Sequence, residues 1–317
     1  MVLKAVKEKR LIKLYVLTGF LGSGRTTFLR EQLMSSNDMK VGVIQNEFGK
    51  ISIDGDTLRN DDITMVELNR GSIFCSCLKL NFVKAMEEMS KTDIDVLFVE
   101  SSGLADPSNM GEILEAVEYV APGSYEYKGA ICLVDGLQFD ELVDDELIVT
   151  KQVLHSELAV ISKSDLLDDD RKSAIAEGVR SMNPSIKIVY AEMGKIDDSI
   201  YEEDLLAYTF KESEDSLNTP ENKPKTLMLT CKEELDADGF KAFLEALLPM
   251  THRMKGTMNL GGKWMKVDVV GKKVDIIDDQ ESDASGQFVI ISKIGPTIIR
   301  PIFDHWEANV GNEMKVR

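Results

Sequence analysis

The sequence predicts an α/β fold: a doubly wound, mostly parallel sheet followed by a smaller C-terminal α+β domain. Three observations lead there. Short apolar runs rich in Val, Ile and Leu recur through the first two-thirds of the chain. Segments with apolar residues at a spacing of three or four lie between several of them. The pattern then changes after a polar, proline-containing stretch at 211–225.

The strand candidates are, in order, "LIKLYVLT", "KVGVIQN", "ITMVEL", "DVLFVE", "AICLVD", "ELAVIS" and "IKIVYA". Their apolar character is unbroken rather than alternating, which suits strands covered on both faces. Helices are expected at "LNFVKAMEEM", "NMGEILEAVEYV" and "TTFLREQLM". Strand alternating with helix builds a parallel sheet with helices on both sides. The expected division is a domain over 1–210, a linker over 211–225 and an α+β domain over 226–317. In the last, "TLMLT" reads as a strand and "DADGFKAFLEALL" as an amphipathic helix. "GGKWMKVDVV", "KKVDII" and "QFVIISKI" read as antiparallel strands, with "TIIRPIFDHWEANV" as a closing helix and "DDQESDASGQ" as a solvated hairpin loop.

Composition bounds the function. The chain has 317 residues, enough for two domains at about 150 residues each. A formal net charge of −18 repels phosphate backbones and anionic lipids, which argues against nucleic acid and membrane surfaces as partners. The N-terminal stretch is basic and then apolar, but its apolar run is short and leads into a glycine loop, so it reads as a first strand rather than a signal peptide. No apolar run is long enough to span a bilayer. Four cysteines, Cys75, Cys77, Cys132 and Cys231, are too sparse for a disulfide framework. A reducing, cytoplasmic setting is expected.

The glycine loop is the strongest motif. Gly19 to Thr26, "GFLGSGRT", fill the P-loop pattern G-x-x-x-x-G-K-[ST] except that Arg25 stands at the lysine position. Glycines let successive amides turn inward as an anion nest, and the following helix adds its N-terminal partial charge. Thr26 would offer its hydroxyl to Mg²⁺. A dinucleotide fingerprint fails because Thr27 stands where its third glycine is needed. The competing reading is a plain glycine turn between strand and helix. Guanidinium is bulkier than ammonium, planar and permanently charged. It still binds phosphate, but phosphoryl transfer depends on positioning, so binding is expected to survive and hydrolysis to be impaired.

Two further stretches follow strand candidates in a matching order. In "DVLFVESSGLADP", Glu100 would sit on the Mg²⁺ side of a phosphate site and the Gly103 amide would meet a terminal phosphate. In "AVISKSD", Lys163 and Asp165 match the guanine-binding N-K-x-D pattern, with Ser162 at the asparagine position. Taken singly, each also reads as a charged turn.

With "GFLGSGRTT", "QNEFGKISIDG", "ELNRGSIFCSC", "VESSGLADPS", "LVDG" and "ISKSDLL" in this order, the chain resembles the CobW/HypB/UreG-type P-loop GTPases, in particular their CobW-like branch. "HRMKGTMNL" is similar to a strand in that branch's C-terminal domain. The resemblance implies a GTP-dependent metallochaperone or metallocofactor-assembly factor. Residue by residue, it implies that Gly22, Ser23, Gly24, Arg25, Thr26 and Thr27 cradle phosphates and Mg²⁺. It places Glu47 and Asp54 in a first switch-like region and Glu100 and Gly103 in a second, with Lys163 and Asp165 facing guanine. Arg25 would meet phosphate charge, and Glu100 or Asp54 could orient an attacking water. GTP or GDP and Mg²⁺ are the implied cofactors, with Zn²⁺ or another transition metal as cargo.

The largest departure from the family is at the thiols. Relatives carry C-x-C-C, where this chain has Ser72, Ile73, Phe74 and Cys75, followed by Ser76 and Cys77. Two sulfurs are not the four ligands of a closed zinc site. Glu47, another region of the chain, a cargo protein or the same cysteine pair of a second subunit could supply the rest; the competing reading is a pair of inert thiols. His155, His252 and His305 are scattered and lack ligand spacing. The functional expectation is therefore a nucleotide-gated metallochaperone serving a client metalloenzyme or corrinoid protein. Two alternatives stay open: a non-hydrolysing scaffold for such an enzyme, and an ATP-using P-loop kinase.

Overall fold

The computed structural model describes residues 11–35, 39–45, 63–67, 79–105, 107–210, 225–278 and 286–317. Of the residues singled out above, Glu47, Asp54, Cys75 and Cys77 lie outside this set, as does the 211–225 stretch apart from Lys225. The chain forms two compact units, Met1–Pro220 and Glu221–Arg317.

The first unit is built on seven strands: β1 (Ile12–Gly19), β2 (Val41–Gln45), β3 (Ile63–Glu67), β4 (Val96–Glu100), β5 (Tyr125–Asp135), β6 (Leu158–Ser162) and β7 (Lys187–Tyr190). They lie in the order β3-β2-β4-β1-β5-β6-β7, and every pairing is parallel. β4 and β6 are buried along their whole length, as their unbroken apolar sequences require. Alternate residues of β1 feed opposite cores. Leu14 and Val16 meet Phe82 and Met86 of α2 (Lys79–Met89) and Ile113 and Val117 of α3 (Met110–Val120). Tyr15 and Leu17 meet Phe28, Leu29 and Leu33 of α1 (Arg25–Ser35). Helices α4 (Phe139–Asp145), α5 (Leu147–Leu154) and α6 (Asp169–Met182) cover β5 and β6 through Phe139, Val153, Ile175 and Val179.

Position in the sheet explains the functional edge. From β1 the chain moves outward to β2 and β3, returns through β4, and then crosses β1 to reach β5. Parallel strands put every carboxyl end on one side, and the crevice where the winding reverses is where ligands sit in such sheets. That side gathers Gly19, Gln45, Glu100, Asp135 and Ser162, with Gln45 opposite Glu100 and Asp135 opposite Ser162 in register.

The second unit is a six-stranded antiparallel sheet in the order β11-β10-β9-β12-β8-β13. Its strands are β8 (Lys225–Thr230), β9 (Thr251–Leu260), β10 (Lys263–Val270), β11 (Lys273–Asp278), β12 (Gln287–Ser292) and β13 (Lys315–Val316). Helix α7 (Ala237–Leu247) starts where the Asp236 carboxylate accepts from the Gly239 amide at 2.7 Å, an N-cap bond. Phe240, Phe243, Leu244 and Leu247 recur at the helical period and are all fully buried. They pack with Trp306 of α8 (Ile299–Asn309), whose ring stands edge-on to Phe243 at 5.1 Å. No helix among the described residues is long and apolar enough to cross a membrane.

One buried polar side chain ties the end of α5 to the turn before β7. Asn183 donates to the carbonyls of Val153 and Ser156 at 3.1 and 3.0 Å, and its oxygen accepts from the amides of Ser185 and Ile186. Asn183→Leu would remove all four bonds and leave the buried Ser156 carbonyl without this donor. It is expected to cost unit 1 about 2–3 kcal/mol. Urea unfolding followed by far-UV circular dichroism measures this, since both tryptophans, Trp264 and Trp306, lie in the second unit.

Candidate functional site

The loop between β1 and α1 has the backbone of an anion nest. Gly22 and Gly24 take φ of 79° and 91°, a region that side chains disfavour. The first i→i−4 bond of α1 runs from the Phe28 amide to the Gly24 carbonyl at 2.9 Å. The amides of Arg25, Thr26 and Thr27 therefore precede any intrahelical acceptor, at the positive end of the helix dipole. No acidic residue lies in that first turn. Thr26 and Thr27 are half-buried and Gly22 is exposed at the loop's apex.

Buried hydroxyls surround the loop. Thr18 Oγ1, Ser23 Oγ and Ser102 Oγ are shielded from solvent and have no hydrogen-bond partner among the described residues. Buried polar atoms are almost always paired, so three orphans beside one glycine loop suit a phosphate-bearing ligand with oxygens to offer.

Gly103 lies against this loop from the end of β4. A Cβ there would fall 2.4 Å from Leu21 Cδ2 and 2.9 Å from the Leu21 amide nitrogen. Only glycine permits so close an approach. From the other side, the buried amide of Gln152 on α5 donates to the carbonyls of Gly103 and Ala105 at 3.2 and 3.0 Å. The loop is thus clamped between the glycine turn and α5.

Arg25 and Glu100 meet directly. The guanidinium donates to the Ser101 carbonyl and lies 3.9 Å from Glu100 Oε1, with side-chain exposures of 10% and 6%. The other carboxylate oxygen accepts from Gln45 Nε2 at 2.9 Å. Each oxygen of Glu100 thus faces a protein donor, one of them a permanent cation. A magnesium ligand should present lone pairs to a divalent ion and its waters. With a guanidinium beside Oε1 and an amide on Oε2, Glu100 does not fit that role.

The guanine-type motif lies beside the same loop. A Cβ on Gly24 would stand 3.8 Å from the Ser162 Cβ. Ser162 Oγ instead donates to the Val134 carbonyl at 3.1 Å, within the sheet. Lys163 adopts a left-handed backbone, φ 57°, and its ammonium pairs with the deeply buried Asp135 at 2.6 Å. Asp165 is exposed. Ser164 anchors the stretch through its amide and hydroxyl, both donating to the Ala191 carbonyl at 3.2 and 2.9 Å.

That last contact brings in a segment the motifs did not flag. The loop after β7 lies on the first turn of α1: a Cβ on Gly194 would sit 2.9 Å from the Thr27 carbonyl oxygen. The Gly194 carbonyl accepts from Gln32 of α1 at 3.3 Å. Its sequence signals were its place after a strand of the same parallel sheet and the lone glycine in "AEMGK". Gln45 and Asp135 lay inside the quoted motif stretches without an assigned role. Gln152 carries no signal in the sequence.

Among the remaining thiols, burial pushes Cys132 up to about 12, opposed in part by the Arg25 guanidinium. Burial likewise raises Cys231. Both stay protonated at neutral pH, the state of a small buried hydrophobe rather than a metal ligand. Among the described residues no group of His, Cys, Asp and Glu is arranged to hold a metal ion.

A sequence model of the CobW/HypB/UreG nucleotide-binding domain matches residues 13–190. The chain belongs to the CobW/HypB/UreG family. It is 32% identical over 192 residues to the zinc chaperone YjiA of Escherichia coli, covering 59% of each chain. It is 27% identical over 235 residues to the zinc-regulated GTPase metalloprotein activator 1 of Schizosaccharomyces pombe, covering 70% of this chain and 56% of that one. The chain thus spans less than two-thirds of the length of these curated relatives. A crystal structure of Zn(II)-bound YjiA GTPase from E. coli aligns over 95% of this chain and 99% of its own, at 22% identity and a TM-score of 0.47.

Gly103→Ala tests the packing of this site. Forcing a methyl against the Leu21 amide is expected to displace the glycine loop at a cost of about 1–3 kcal/mol. Urea unfolding followed by far-UV circular dichroism should register that loss of stability relative to the parent chain.

Proposed function

We propose that this protein is a guanine-nucleotide-binding metallochaperone that handles zinc for a client metalloprotein and hydrolyses GTP slowly. The observation that supports the reading is the glycine loop: its left-handed glycines lead into the first-turn amides of α1, and the buried hydroxyls of Thr18, Ser23 and Ser102 lie in the loop or at the ends of the strands beside it. Family membership over residues 13–190, and the printed names of the relatives as zinc chaperones and a zinc-regulated GTPase, support the metal-handling part.

In this reading Gly22, Ser23, Gly24, Thr26 and Thr27 hold the phosphates, with Arg25 as the cation closest to them. Gly103 lies where a terminal phosphate would touch the end of β4, and the Gln152 clamp carries any shift of that loop to α5. Lys163 and Asp165 form the base side, where the exposed Asp165 carboxylate accepts from the guanine edge. Cys75 and Cys77, with Glu47, are the proposed zinc donors, and a client or a second subunit completes their coordination.

Slow turnover follows from Arg25. Its guanidinium is held by Glu100 and Ser101, so presenting it to a transferring phosphoryl group requires breaking a buried ion pair. This pair also favours a second reading, a nucleotide-retaining scaffold without turnover. Phosphate release under single-turnover conditions separates the two: measurable turnover supports the first and complete absence the second.

Calorimetry with GDP, GTP and ATP tests the core of the proposal. Guanine nucleotides are expected to bind at least tenfold more tightly than ATP; no heat from any of them would overturn the reading. For the metal, anaerobic zinc titration of the protein should show a site lost on the double change Cys75→Ser and Cys77→Ser, with nucleotide binding retained. Unchanged zinc stoichiometry would remove those two thiols from the proposal.

A further inference from the structure

The family pattern has a lysine where this chain has Arg25, and the structure shows what the arginine does there. One guanidinium nitrogen, Nη1, donates to the Ser101 carbonyl and lies 3.9 Å from Glu100 Oε1, while Gln45 Nε2 donates to Oε2. Glu100 is the last residue of β4, in register with Leu17 of β1 and Gln45 of β2. The carboxylate on the divalent-ion side of the phosphate site is therefore enclosed by protein donors on elements from both sides of its strand.

We infer that Arg25 takes over the counter-charge role of the divalent cation, so that this protein binds guanine nucleotide almost independently of Mg²⁺. The inference rests on the nucleotide-binding reading above and deepens it. A buried carboxylate must be neutralised, and here a guanidinium that does not deprotonate in proteins does so. A divalent ion brought to that carboxylate would be repelled by the guanidinium already beside it. The same positive charge stands next to the first turn of α1, where the phosphates would sit, and adds to the positive field there without leaving Glu100. One fixed cation thus neutralises the carboxylate by proximity and favours the anionic ligand through its field. Arg25 reaches the Ser101 carbonyl and the carboxylate through Nη1 of a planar, permanently charged guanidinium, whereas a lysine ammonium is a compact, strongly hydrated point charge on a mobile stem. Replacing the arginine with lysine should reopen the carboxylate to magnesium.

The experiment is a titration of fluorescently labelled GDP into the full chain, once with millimolar Mg²⁺ and once with EDTA. For the wild-type chain the two dissociation constants are expected to agree within threefold. For Arg25→Lys the EDTA value should exceed the Mg²⁺ value by at least tenfold. If that variant fails to fold by circular dichroism, Arg25→Gln, neutral and hydrogen-bonding, takes its place with the same expectation. A wild-type affinity that falls tenfold or more in EDTA overturns the inference and leaves the nucleotide reading standing, as does an Arg25 variant that is as insensitive to Mg²⁺ as the parent. Absence of GDP binding by the wild-type chain in both buffers overturns the nucleotide reading, and the inference with it.

Discussion

Parallel pairing constrains everything else in the first unit. Strands covered on both faces have no side chain to spare for solvent, because alternate residues of β1, β4 and β6 go to opposite cores. Chemistry is left to the strand tips, and parallel strands put all their carboxyl tips on one edge. Gln45, Glu100, Asp135 and Ser162 are neighbours for that reason alone, although the sequence separates the first from the last by more than a hundred residues. The glycine turn after β1 lies at the reversal of the winding, so the amides that open α1 point into the same crevice. Folding of the sheet and assembly of the site are one event.

Within that crevice the dominant electrostatic feature is an internal ion pair. A lone arginine or glutamate at this depth would be strongly destabilising, and each relieves the other. Lys163 and Asp135 repeat the device on β5, across β1 from Glu100. The overall acidity of the chain, −18, therefore says little about the site itself, where cations and hydroxyl donors gather.

The order and type of the elements were legible in the sequence because burial on both faces leaves an unmistakable signature, seen most clearly in "DVLFVE" and "ELAVIS". The glycine loop was legible because few other residues adopt the backbone of Gly22 and Gly24. Partner choice was not. That Arg25 would turn to Glu100 and Ser101 depends on where β4 ends relative to α1, a tertiary distance with no local code. Nor was it legible that the Lys163 ammonium reaches the acid at the end of β5, where Asp135 and Ser162 face each other in register. Gln152 shows the limit most clearly: an apolar-looking helix conceals an amide whose only sign of purpose is the pair of carbonyls it grips.

The closeness of Gly194 to Thr27 carries a mechanical consequence. With no room for a methyl group between the post-β7 loop and the start of α1, the two backbones cannot approach further, and Gln32 keeps them from separating freely. Any tightening of α1 around an anion must push on residues 191–195, and Ala191 hands that push to Ser164. The two ends of a bound nucleotide would then sense each other through a strut only a few residues long.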